Sequence, residues 1–235
     1  MELKALQELF AAKGGTFCAP LEEWANKANM VSGFIFDWDG VFHMGQKGVG
    51  HSGLFSEADS MGLNMLRYGF WRRFKVLPFM AIISGERDKT APQFAEREHF
   101  NAVYTGIGDK KKALEHTCAS ANVSSKQMAC FFDDVNDLSM ARYCGLRFQI
   151  QRSSSPLFSN FTMRNRLCDY LTAHSPGEHA IRECCELLLG IWGVYDETIT
   201  SRMRFDSDYQ KYWDARNKEE TLFYTRHNTD EIRRK

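Results

Sequence analysis

The chain has 235 residues, 43% hydrophobic and 13% aromatic, enough for one large domain with a packed core. Thirty basic residues balance thirty acidic ones, giving zero formal net charge, which argues against a nucleic-acid or membrane-surface protein. Seven cysteines, an odd number without CxxC or metal-ligand spacing, are expected to be core fillers of a reduced, cytoplasmic protein; the start lacks the apolar core of a signal peptide and no apolar run reaches membrane-spanning length.

Taken in order, residues 2–12 carry Leu3, Leu6, Leu9 and Phe10 at helical spacing, and Gly14-Gly15 ends that helix. A second helical stretch over residues 20–28 leads into Phe34-Ile35-Phe36-Asp37-Trp38-Asp39-Gly40-Val41. Three apolar residues in a row predict a strand buried on both faces, as in parallel α/β sheets. Asp37 and Asp39 then emerge at its C-terminal end, the edge where open α/β sheets bind ligands. Side chains at i and i+2 of a strand share a face, so both carboxylates converge on one ligand, metal or reacting group. Gly40 permits the sharp turn that follows. Alone, a DxDG is equally compatible with a solvated turn after a core strand.

Gly45, Gly48, Gly50 and Gly53 mark the next segment as a loop or hairpin flap at the ligand edge. Helical periodicity returns from Ser56 (Met61, Leu63, Met65, Leu66), and the cluster Arg67, Arg72, Arg73 and Lys75 reads as a solvated face. Residues 76–83 predict a second buried strand ending in Ser84-Gly85, where a hydroxyl and free N–H groups suit a phosphate oxygen, although a plain Ser-Gly turn reads the same way. A helix over residues 90–98 and a short strand around 102–104 follow.

Lys110, Lys111 and Lys112 then open a helix, against the preference of the helix dipole for anions at that end. They form either a solvated basic face or a place from which a lysine reaches a bound phosphate. Residues 128–132 predict another buried strand, running into Asp133, Asp134 and Asp137. Three carboxylates at one strand end repel each other unless a cation is present, and their hard oxygens favour magnesium. Short strands at 147–150 and 169–172 and an apolar helix over 178–192 complete the pattern; beyond Val194 the chain turns polar and aromatic, and its last dozen residues read as a frayed tail.

The order DxDG, Ser-Gly, lysine, acidic cluster, each at a strand end or helix start, resembles the haloacid dehalogenase (HAD) superfamily of phosphohydrolases. Within it, the sequence is most similar to the capless branch acting on 3-deoxy-manno-octulosonate 8-phosphate and related keto-acid phosphates. Phe55, Asp59 and Gly62 fit that branch's helix start, Gly106-Ile107-Gly108-Asp109-Lys110 its turn, and residues 177–183 its final helix. Glu86 stands where a cation is usual, Ala58 replaces an arginine, His43-Met44 replaces Thr-Asp, and Phe132 and His179 replace glycines.

The resemblance implies a Rossmann-like parallel sheet of order 5-4-1-2-3 flanked by helices, with a β-hairpin flap and no separate cap domain. An N-terminal helical extension (1–30) and a C-terminal helical or tail extension (195–235) would flank a phosphatase domain (31–194). It also implies a magnesium-dependent phosphomonoesterase. Asp37 would be nucleophile, Asp39 general acid and base, and Ser84 and Lys110 would bind the phosphoryl group. Trp38, Gly85 and Arg87 would contact substrate. Magnesium would be held by Asp37, the Asp39 carbonyl, Asp133 and Asp137, with Asp134 in support. The partners implied are a small phosphorylated substrate and, in a homotetramer, neighbouring subunits whose hairpins and tails from about residue 206 cover the site. A non-catalytic binding protein or a phosphotransferase on the same fold would show a similar pattern.

Overall fold

The computed structural model describes residues 2–48, 53–87, 89–226 and 231–235. In chain order it contains α1 (Leu3–Ala11), β1 (Thr16–Phe17), α2 (Leu21–Met30), β2 (Gly33–Phe36), α3 (Glu57–Phe74), β3 (Phe79–Ile83), α4 (Thr90–Arg97), β4 (Ala102–Thr105) and α5 (Lys110–Ala121). These are followed by β5 (Met128–Phe132), α6 (Leu138–Ala141), β6 (Leu146–Gln149), α7 (Pro156–Arg164), β7 (Tyr170–Leu171), α8 (Ala180–Ile191), α9 (Tyr195–Arg204), α10 (Ser207–Arg216), β8 (Leu222–Arg226) and β9 (Ile232–Arg234).

One sheet runs β1-β7-β6-β5-β2-β3-β4-β8-β9. Its centre, β6-β5-β2-β3-β4, is parallel and has the expected 5-4-1-2-3 order. Among the described residues no second domain interrupts it, and no helix is long and apolar enough to cross a membrane.

Strand β2 is buried throughout because it feeds two cores at once. Phe34 and Phe36 face one layer with α3 and α8, while Ile35 faces the other with α5 and α6. Phe36 stacks on Phe131 at 4.4 Å and Phe131 on Phe148 at 4.6 Å, an aromatic ladder across β2, β5 and β6 that fixes their relative height. Helix α3 lies close along α8 because Gly62 has no side chain; a Cβ there would sit 3.1 Å from the Arg182 Cα.

Two expectations are corrected. Among the described residues of the last dozen the chain is not frayed: β8 pairs parallel with β4, Tyr224 stacks on Tyr104 at 4.8 Å, and β9 pairs antiparallel with β8, while positions 227–230 lie outside the described residues. The period-2 pattern of so short a segment is hidden among charges, and it becomes a strand because the β4 edge offers it partners. The basic cluster at α3 is a solvated face only in part: Arg73 and Lys75 are exposed, but its arginines also make tertiary bonds. Arg67 is buried and donates to the Glu98 carbonyl at 2.6 Å, Arg72 donates to the Glu197 carbonyl and Arg73 to that of Trp192, so these cations stitch α3 to α4, α9 and the end of α8. The glycine-rich segment, expected as a loop or hairpin flap, is a loop among its described residues, with an isolated bridge between Asp39 and His43; positions 49–52 lie outside the described residues. The tail also packs on its own subunit, with Tyr209 and Tyr212 of α10 buried and Tyr212 donating to the Asn64 carbonyl of α3.

Candidate active site at the C-terminal edge of the sheet

The hydrogen bond from Asp37 N to the Phe131 carbonyl (3.0 Å) extends the β2–β5 ladder one residue past the strand. It thereby holds Asp37 beside the end of β5, where Asp133 begins the acidic loop. There a short 3-10 turn, Val135–Asp137, is capped by Asp134, whose Oδ1 accepts from Val135 N at 2.7 Å. The Asp137 carboxylate folds back, its Oδ2 accepting from the N–H groups of Asp133 (3.2 Å) and Asp134 (3.3 Å). Its Oδ1 is left facing Lys110 Nζ at 2.5 Å.

Lys110 is the first residue of α5, placed by Asp109, whose side chain accepts from Lys111 N at 3.0 Å. Of the three lysines, Lys111 is half-exposed and pairs with Glu115, while Lys110 turns inward, buried, and bonds Asp37 as well as Asp137. The unfavourable helix-dipole position is offset by two carboxylates. Ligand atoms of Asp37, Asp133 and Asp137 lie within 4.8 Å of one another. Gly40 (φ +82°) turns the chain tightly over this cluster, and a Cβ at that position would fall 2.0 Å from Asp133 Oδ2.

Three buried carboxylates face one buried ammonium and one half-buried guanidinium, that of Arg152, which bonds Asp133. The negative charge is in surplus. Burial, with the Asp137 charge nearby, pushes the Asp37 carboxyl up to about 7 against the pull of Lys110. Burial and the neighbouring carboxylates Asp37 and Asp137 push Asp133 up to about 8. Lys110 is held protonated by the same carboxylates, which outweigh its own burial. Hard oxygen donors, close convergence and surplus negative charge are what a divalent cation requires, so these residues fit a magnesium-type ion.

The cluster opens into a cavity of about 450 Å³ that also exposes Asp39, Lys47, Gly85 and Glu86. Asp39 does not join the carboxylate cluster. Its carboxylate lies 3.2 Å from Lys47 Nζ and 3.5 Å from His43 Nε2, and it lines the same cavity. Ser84 is buried, its Oγ accepting from Glu86 N at 3.1 Å, which shapes the turn presenting Gly85 to the cavity. The Trp38 side chain is core, donating to Thr90 Oγ1 at 3.2 Å, and its amide bonds the Asp37 carboxylate. Arg87 points away towards the tail strand, donating to the Arg226 carbonyl at 3.2 Å. Asp134 is exposed and outside the carboxylate cluster. The structure thus brings Asp37, Asp39, Gly85, Lys110, Asp133, Asp134 and Asp137 to one cavity, and leaves the side chains of Ser84, Trp38 and Arg87 out of its lining.

No known protein-family model matches the chain. Solved structures do. The 3-deoxy-D-manno-octulosonate 8-phosphate phosphatase of Moraxella catarrhalis, solved with magnesium, phosphate and the KDO molecule, superposes at TM-score 0.64 with 24% identity over 77% of this chain and 99% of its own. A HAD superfamily (subfamily III A) hydrolase from Legionella pneumophila superposes at TM-score 0.65, with 24% identity over 78% of this chain and 96% of its own. The chain has the HAD fold. The cobalt-bound deoxy-D-mannose-octulosonate 8-phosphate phosphatase of Haemophilus influenzae shares it at TM-score 0.60, with 22% identity over 72% of this chain and 93% of its own.

Two residues of this HAD-fold site escaped the sequence reading. Lys47 bridges Asp39 and Glu86 (3.3 Å), and Arg152 bonds Asp133. Their signals were indirect. An acidic residue at position 86, lining the cavity beside the Ser84-Gly85 turn, calls for a nearby cation, and three carboxylates call for more than one lysine.

Proposed function

We propose that this chain is a magnesium-dependent phosphomonoester hydrolase that works through an aspartyl-phosphate on Asp37. The arrangement that carries the reading is Asp37 set between Lys110 and the Asp133–Asp137 pair, with Asp39, two residues on, lining the same cavity. Structural likeness to phosphatases, two of them metal-bound, supports it.

A carboxylate oxygen of Asp37 attacks phosphorus in line, and the bond from phosphorus to the leaving oxygen breaks. Asp39 gives its proton to that oxygen; in the second half-reaction it takes a proton from water, whose oxygen attacks phosphorus and frees Asp37. Lys110, locked by two carboxylates, keeps its charge at the attacking oxygen. The Ser84 hydroxyl and the N–H groups of Asp39 and Gly85 would receive the non-bridging oxygens. Asp37, the Asp39 carbonyl, Asp133 and Asp137 would hold the magnesium ion, with Asp134 in support. When bound, it neutralises charge on the phosphoryl oxygens.

The cavity volume suits a sugar phosphate or an eight- or nine-carbon keto-sugar-acid phosphate. Lys47 supplies a cation on the wall for an acid group, in place of the one Glu86 displaces. The cavity is open, and Met44 on its lining is 56% exposed, apolar surface suited to a neighbouring copy in a homotetramer. Phosphate release from a panel of sugar and keto-acid phosphates, with magnesium and with chelator, tests the reading. Magnesium-dependent turnover of at least one acidic sugar phosphate is expected; no turnover on any ester, by folded protein, overturns it.

A further inference from the structure

Arg152 stands in the loop after β6, and its guanidinium reaches across to Asp133, the carboxylate at the end of the neighbouring strand β5. Its Nη2 donates to Asp133 Oδ2, and its Nη1 lies 3.8 Å from Asp134 Oδ2. The contact is made directly over Gly40, where a Cβ would meet both groups, at 2.0 Å from Asp133 Oδ2 and 2.6 Å from Arg152 Nη2. Asp133 is 4% exposed at its side chain and Arg152 38%, so a buried anion is neutralised by a cation that retains a path to solvent.

We infer that Arg152 is the resident counter-cation of the metal-free site, and that a divalent ion takes Asp133 only as the guanidinium withdraws from it. The inference rests on the reading of the carboxylate cluster as a magnesium site. With Lys110 and Arg152 both in place, three carboxylates leave one net negative charge; without Arg152 they leave two, the charge that matches the ion. A guanidinium within bonding distance of a ligand both occupies a lone pair of that carboxylate and repels the incoming cation. Asp134, exposed and already near Nη1, is the carboxylate left to the displaced arginine. The exchange gives the empty cluster a partner that keeps three like charges together, at the expense of metal affinity. It also turns loading of the ion into a step that frees a cation at the rim of the cavity.

Calorimetric titration of magnesium chloride into chelator-stripped wild type, Arg152→Ala and Arg152→Gln tests this without recourse to turnover. Both variants are expected to bind the ion more tightly than wild type by roughly five- to a hundredfold, the range of ordinary coupling between two ligands. Both are also expected to melt at lower temperature than wild type in chelator and to gain more from added magnesium. Arg152→Lys, which keeps the charge and the bulk, should fall between and serves if the neutral variants fail to fold. Equal or weaker magnesium binding by folded variants overturns the competition. Absence of magnesium binding by wild type and variants alike overturns the metal reading of the cluster, and this inference with it.

Discussion

At the scale of single residues the site is a negative cluster with too few cations, and that imbalance is measurable. Asp37, near 7, and Asp133, near 8, both titrate above the ordinary carboxyl range, so the folded chain holds protons that the unfolded chain has released. Their contribution to stability is therefore full below about pH 4 and is lost as pH rises through about 7 to 8. Thermal melts in chelator should fall across that interval, and magnesium should recover the loss at the alkaline end while adding little at the acid end. A flat profile in chelator contradicts the charge balance. Asp37→Asn should abolish turnover while the circular dichroism spectrum is kept, because the amide nearly preserves shape and relieves repulsion; Asp39→Asn should slow both half-reactions and let phosphoenzyme accumulate. Asp37, Asp39, Asp133 and Asp137 were legible in sequence because each sits at a strand end marked by an apolar run. Lys47 and Arg152 were not, because nothing local to a loop says which carboxylate it will meet.

Helices α3 and α8 show what element-scale patterns reveal and conceal. Asp59 and Gly62 are visible as a helix-start pattern, but the reason for the aspartate lies across the molecule: buried on α3, it accepts from the Arg182 N–H at 3.0 Å and so caps the first turn of α8. Asp59→Ala should lower stability by about 1–2 kcal/mol, as cap removal does. His179, just before α8, holds φ +65°, the left-handed region that glycine enters without penalty. Its 3.6 Å pairing with Asp59 is half exposed and contributes little. His179→Gly should therefore raise stability by roughly 0.5–1 kcal/mol, the relief of αL strain reduced by the glycine's extra freedom when unfolded. Urea titrations read both changes, and a destabilised His179→Gly would show that the imidazole contact outweighs the backbone. The basic run on α3 was partly misread, for a related reason. Arg67 is recognisable as buried only once Glu98 and Arg216 are known to surround it, since Arg216 also bonds Glu98, at 2.9 Å.

At the scale of the molecule, the parallel centre was readable from alternating strand and helix patterns, and the outer strand β7 falls within the expected strand at 169–172, whereas β1, β8 and β9 were not readable. β1 and β7 are two residues long and β8 is disguised by charge, so each owes its existence to an edge supplied by the rest of the sheet. The tail is consequently part of the core. Truncation after Ser201 removes the buried Tyr209 and Tyr212 and the Arg216 partner of Glu98, and it should yield aggregated or unfolded protein by circular dichroism, not a folded protein with altered activity. Light scattering on the intact chain should give the mass of four copies, and a monomer with full activity would refute the assembly. The central claim is that phosphorus passes through Asp37. Its most direct test is mass spectrometry of the Asp39→Asn variant, acid-quenched during turnover with magnesium and a sugar phosphate ester. The account predicts one added phosphoryl group on the peptide containing Asp37, absent when Asp37 is also changed to Asn; turnover with no such adduct, or retained by Asp37→Asn itself, would contradict it.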